Sequence, residues 1–232
     1  MLTLLAYTRY LHIAAGFLGF FVAPVALAVR KGGAAHRAWG RVFFWAMAVA
    51  GTTAIFNAAF KGLTFLLLTG IFSLYLAGFG YRSLYQKPLG VGRDAGARPA
   101  LLDWLLVSTG LAVFGGTLVY GVARGVVPSI VFGGIGVLIT SQQLVGYRRR
   151  GPWPTGQWLL NHLTGFVAAY ISAVSAFSAT SLRFIPFPWN FLWPTLVMVP
   201  PLVWARLRYK ARFRQGERVA QVVEVRIQPD FQ

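Results

Sequence analysis

The sequence predicts an all-α, polytopic integral membrane helix bundle of seven transmembrane helices, with the N-terminus outside and the C-terminus cytoplasmic. Three observations predict it. Hydrophobic residues make up 56% of the 232 and charged residues only 12%, about half the charged share of an ordinary soluble domain. Seven apolar runs have the length for a spanning helix, ~20 residues. The 22 lysines and arginines fall mostly in alternate connections.

The first run is Tyr7 to Val29, followed by Val42 to Phe60 and Leu63 to Tyr81. Then come Ala100 to Val122, Val126 to Tyr147, Gln157 to Leu182 and Asn190 to Leu207. Helix is the expected form because backbone polar groups in lipid must be satisfied within the segment. A membrane β-barrel would show ~10-residue segments alternating in polarity, and these runs are apolar all round. The sequence divides into a transmembrane domain, 1–207, and a basic cytoplasmic tail, 208–232. The last run holds Pro194, Pro200 and Pro201, where a kink or break is expected because proline lacks the N–H donor. Arg206 to Arg214 is expected to carry that helix into the headgroup layer. Val223, Val225 and Ile227, alternating with Glu224 and Arg226, suggest a short strand. Arg30 and Lys31 follow the first apolar run instead of preceding it, which argues against a cleaved signal peptide.

The charges set the orientation. The connection after the first run holds Arg30, Lys31, Arg37 and Arg41, and the one after the third holds Arg82, Lys87, Arg93 and Arg98. Arg148, Arg149 and Arg150 follow the fifth run, and seven more cations lie from Arg206 onward. Only Arg9, Lys61, Arg124 and Arg183 fall on the other side. Lys and Arg accumulate on the cytoplasmic side, so the tail belongs inside. The net charge of +17 then reads as basic loops against anionic lipid headgroups, with no nucleic-acid partner.

There are no cysteines, which removes thiolate metal sites, iron–sulfur clusters and cysteine nucleophiles. No HExxH, P-loop, GxSxG or paired-carboxylate pattern occurs, and no protein metal site is expected. The seventh run has no lysine for a retinal Schiff base. Polar residues form two belts with a dry centre, unlike an ion path. Asp103 is the one acid inside a run; it is expected to sit at a helix N-terminus and pair with Arg98 or another arginine of the same side.

The candidate ligand-binding residues are His36, His162, His12, Arg37, Arg41 and Asn161. Neutral imidazole is the usual haem-iron ligand when cysteine is absent. His12 and His162 differ by ~18 Å along the membrane normal at ~1.5 Å of rise per residue, so they cannot share one iron in straight helices. His36 and His162 lie on the same side and can converge if the first loop folds back. Arg37 and Arg41 suit a propionate, a phosphate or a quinone headgroup.

Several of these residues carry a resemblance. His12, then Gly16 and Gly19, then Lys31-Gly32, His36-Arg37, Gly40-Arg41 and Met47 resemble a bacterial family of predicted membrane proteins, domain of unknown function 2306. Asn161-His162 resembles its second half. The resemblance covers about two thirds of the chain, leaves out the basic tail, and implies a multi-pass protein of the bacterial cytoplasmic membrane without implying a reaction.

Three functions compete at this stage: a redox-associated protein binding haem, quinone or an anionic lipid at the inner-side cluster; a non-catalytic subunit or assembly factor of a larger membrane complex or homo-oligomer; and a small-molecule transporter. The orientation has a direct check. Reporters fused to the two termini are expected to be active in opposite compartments, with the tail reporter cytoplasmic; two active on the same side would refute the seven-span reading.

Overall fold

A computed structural model describes residues 2–89, 98–149 and 153–223. The described chain is helical: α1 is Leu2–Ala28, α2 Ala34–Phe60, α3 Thr64–Arg82, α4 Leu101–Arg124, α5 Val127–Arg148, α6 Gln157–Ser181 and α7 Trp189–Arg214. A 3₁₀ segment, Ser83–Leu89, follows α3, and a single turn, α8, covers Val219–Val222. Six helices, α1 to α6, are long and apolar enough to cross a membrane. In none of them is more than 44% of the apolar window buried inside the protein, so most of each surface is left for lipid. Phe17, Trp45, Leu101, Val119 and Leu138 are among the exposed side chains.

A helix start and an expected break differ from the sequence reading. α2 starts at Ala34, eight residues before Val42, because Ala34, Ala35 and Ala38 are strong helix formers around the polar His36, Arg37 and Arg41. Those three residues therefore belong to the first two turns of a helix and not to a loop. α7 does not break at Pro194, Pro200 or Pro201, and it runs on to Arg214 as its basic end was expected to. The expected strand falls on residues 224–227, outside the described residues, beyond Val223.

α3 is the central element. It packs against α2 on one side and α6 on another, and touches the α4–α5 hairpin chiefly through α5. α1 packs on α2, and α7 packs on α6. Leu76, Ala77 and Ala169 are fully buried where α3 meets α6, with Val22, Phe43, Met47 and Val174 around them. Tyr75, Phe79 and Phe114 join α3 to α4. Between α6 and α7, Trp193 donates its indole N–H to Ser178 at 2.8 Å, and Asn190 donates to the Ala179 carbonyl.

Helix association in lipid gains little from burying apolar surface, so it depends on close van der Waals packing between small residues. The contact that matters most here is between α3 and α6. A methyl group placed on Gly165 would lie 2.5 Å from the Gly80 Cα and 2.8 Å from the Leu76 carbonyl oxygen. One placed on Gly80 would strike the Phe166 ring. Only hydrogen at both positions lets the two backbones meet. Ser73 and Ser172 add a 2.7 Å hydrogen bond along the same seam.

A substitution tests this seam. Gly165→Ala forces backbone apart and is expected to cost ~1–3 kcal/mol, the usual price of overpacking, read as a lower thermal midpoint in detergent. Gly134→Ala, at a glycine with open space around it, is the control and is expected to leave the midpoint unchanged.

Candidate functional site

The C-terminal ends of α1, α3 and α7 and the N-terminal ends of α2 and α6 meet at one end of the bundle. They enclose a cavity of about 570 Å³, within the usual size of cofactor and ligand sites. Its lining divides by chemistry. The polar part is Lys31, His36, Arg37, Arg41, Lys87 and His162; the apolar part includes Phe43, Phe166 and Tyr170. Among the described residues no carboxylate lines it.

Each polar residue is placed by local structure. The short turn after α1 brings α2 back alongside it, so the His36 ring reaches the Ala26 carbonyl through Nδ1 at 2.9 Å. His162 lies in the second turn of α6 and reaches the Gly80 carbonyl of α3 through Nδ1 at 3.0 Å; the glycine seam makes that reach short. A carbonyl can only accept, so Nδ1 carries the proton in both rings and Nε2 keeps its lone pair. The two imidazole centroids are 6.3 Å apart with planes at 81°. The Phe166 ring, lodged where Gly80 has no side chain, backs His162 at 4.7 Å between centroids.

The cations are held too. Arg37 donates from its guanidinium to the Gly32 carbonyl at 2.5 Å. Lys31 donates to the Leu27 and Val29 carbonyls at the end of α1, where the helix dipole favours a cation. Burial lowers the Lys31 pKa from the ordinary lysine range. Lys87 lies over the Trp158 ring, 5.0 Å from its centroid. Tyr81 stacks on Phe44 at 4.0 Å. Tyr209, from the basic end of α7, and Val223 close part of the wall. They are brought there by Phe213, which fills the space over Gly156, a residue with φ of +73°.

The wall formed by the 3₁₀ segment is fastened from behind. Asp103, 2% exposed, accepts two hydrogen bonds from Arg82, at 2.6 and 3.2 Å, and one from Gln86 at 2.9 Å. It also accepts the Ala100 backbone N–H at 2.8 Å, the N-terminal role expected of it. Gln86 donates as well to the Tyr147 hydroxyl at 2.6 Å. This network ties α3, α4 and α5 to the segment that presents Tyr85 and Lys87 to the cavity.

Of the six residues singled out from sequence, four meet here: His36, Arg37, Arg41 and His162. Asn161 does not line the cavity; it points round the helix and accepts from Gln157 at 2.8 Å. His12 lies 14 residues before Ala26 on α1, ~21 Å away along the axis. It bonds the Ala50 carbonyl at 2.9 Å beside Thr53, fixing α1 to α2. Lys87 stood in the sequence as a marker of orientation and Lys31 as that and part of the Lys31-Gly32 pair, and Trp158, Tyr81 and Tyr209 were not read as site residues. The available signal was that the two lysines lie in separate connections on the same side of the runs as His36 and His162.

Among the described residues no group of three or more His, Cys, Asp or Glu side chains could hold a bare metal ion. Comparison with protein-family models, with curated proteins and with solved structures gives no match.

The fastening network makes its own prediction. Asp103→Ala leaves Arg82 and Gln86 without their acceptor. Breaking a buried pair costs ~3–5 kcal/mol, and the low end is expected because Arg82 keeps some water contact. Denaturation in micelles measures the loss, and hydrogen exchange is expected to quicken first at residues 83–89.

Proposed function

We propose that this is a multi-pass protein of the bacterial cytoplasmic membrane that binds, on its cytoplasmic side, an amphiphile with an anionic head and an apolar body. The observation that carries the reading is the divided lining of the cavity: four cationic side chains with no carboxylate among the described residues at one part, and aromatic rings at the other. Cations gathered without counter-charge repel one another, and an incoming carboxylate or phosphate relieves that repulsion through charge-assisted hydrogen bonds. Aromatic and aliphatic side chains suit the apolar remainder. Haem, a quinone and an anionic lipid are the ligand chemistries considered; haem and lipid carry the negative head that the cations call for.

The topology belongs to this reading. α7 serves as the seventh span, supported by its packing along α6. The cations at the cavity end support a cytoplasmic position for that end. Membership of the family of domain of unknown function 2306 is part of the proposal, supported by the meeting of His36, Arg37, Gly40, Arg41 and His162 on one cavity. The transporter alternative drew on a broken last helix and a bare centre, and α7 is continuous.

A competition assay in zwitterionic nanodiscs tests the reading with a pyrene-labelled alkyl sulfonate, charged at every pH, against the matching alcohol. The sulfonate is expected to bind and the alcohol to bind weakly. Arg37→Gln with Arg41→Gln is expected to weaken the sulfonate tenfold or more, since a charged hydrogen bond is worth ~1.5–3 kcal/mol. The pH dependence has a definite sign. An anion favours protonated Lys31, so affinity falls as pH rises through the lysine's lowered pKa in the free protein. Equal binding of sulfonate and alcohol by both proteins would contradict the reading.

A further inference from the structure

The two imidazoles carry the reading one step further. Each has its Nδ1 proton committed to a main-chain carbonyl, Ala26 for His36 and Gly80 for His162. This is the arrangement that fixes the tautomer and orientation of a metal-binding histidine. No described residue bonds either Nε2, and both side chains face the cavity. A metal shared by two imidazoles at ~2.0 Å per nitrogen needs ring centroids no more than ~6 Å apart; here they are 6.3 Å apart.

Two imidazoles are too few for a bare ion, and no third ligand is at hand among the described residues. A porphyrin brings four equatorial nitrogens of its own and needs only two axial ligands. Its propionates are the anionic head that Lys31, Arg37 and Arg41 await, and its flat apolar body suits Phe166 and Tyr170. The residues therefore fit this group on ligand number, ring separation and charge.

We infer that His36 and His162 are the axial ligands of a haem iron, so that the amphiphile of the proposed function, on which this inference rests, is an iron porphyrin. When bound, the porphyrin iron supplies a one-electron redox centre. The protein's own part is to hold the two rings through Ala26 and Gly80, to cross their planes at 81°, and to neutralise the propionates.

The experiment titrates the purified full chain in detergent with ferric protoporphyrin IX, followed by absorption and by electron paramagnetic resonance. The wild-type protein is expected to give a six-coordinate, low-spin spectrum. Its resonance is expected to be the strongly anisotropic, large-g signal of axial imidazoles with nearly perpendicular planes. His36→Gly and His162→Gly are each expected to lose the low-spin form, and free imidazole to restore it. That restoration separates lost ligation from lost folding. If the porphyrin binds but neither substitution changes its spin state, the axial assignment is overturned while the anionic amphiphile stands. If the porphyrin does not bind and the alkyl sulfonate does, the haem is overturned and the cavity reading survives. If neither binds, both fall.

Discussion

Everything at the basic end of this protein hangs on the backbone contact between α3 and α6. In lipid there is little hydrophobic drive to bring two helices together, so proximity depends on what the side chains allow. Gly80 and Gly165 allow contact between backbones. That contact puts the Gly80 carbonyl within reach of His162. It also leaves the hollow over Gly80 in which the Phe166 ring sits. The position of one imidazole is thus a consequence of two missing side chains on different helices.

The second histidine depends on an equally local device. α1 ends and α2 begins within a five-residue turn, residues 29–33, and the antiparallel return lets His36 bond a carbonyl ten residues behind it. The cations around the pair are held by carbonyls or aromatic faces, at Gly32, Leu27 and Trp158. The one acid within the apolar helices, Asp103, is spent on Arg82 and Gln86, behind the cavity wall. Its negative charge steadies the wall instead of neutralising the site, which leaves the cavity positive.

The helices were legible because their signal is one-dimensional. Length and hydropathy mark a span whatever its neighbours are, and α1 to α6 are found where the apolar runs lie. The start of α2 was not legible from hydropathy, because His36, Arg37 and Arg41 look like loop residues until the alanines between them are weighed. The convergence of His36 and His162 was readable as a geometric option from their shared side. The exclusion of Asn161 was not, because adjacent helix residues point ~100° apart and only packing decides which faces inward. Lys31 and Lys87 were hidden by their usefulness as orientation markers. The partner of Asp103 could be narrowed to an arginine on its own side, but Gln86 meets it, and Tyr147 meets Gln86, only through the packing of three helices. His12, read as a ligand candidate, is occupied in fastening α1 to α2.

The central claim is that the basic cavity exists to hold an anionic amphiphile. Non-denaturing mass spectrometry of the protein released from its native membrane addresses it most directly. The account predicts one non-covalent adduct per chain that bears a carboxylate or phosphate and dissociates when the protein unfolds. A folded chain released at its bare mass, or carrying only neutral lipid, would contradict it.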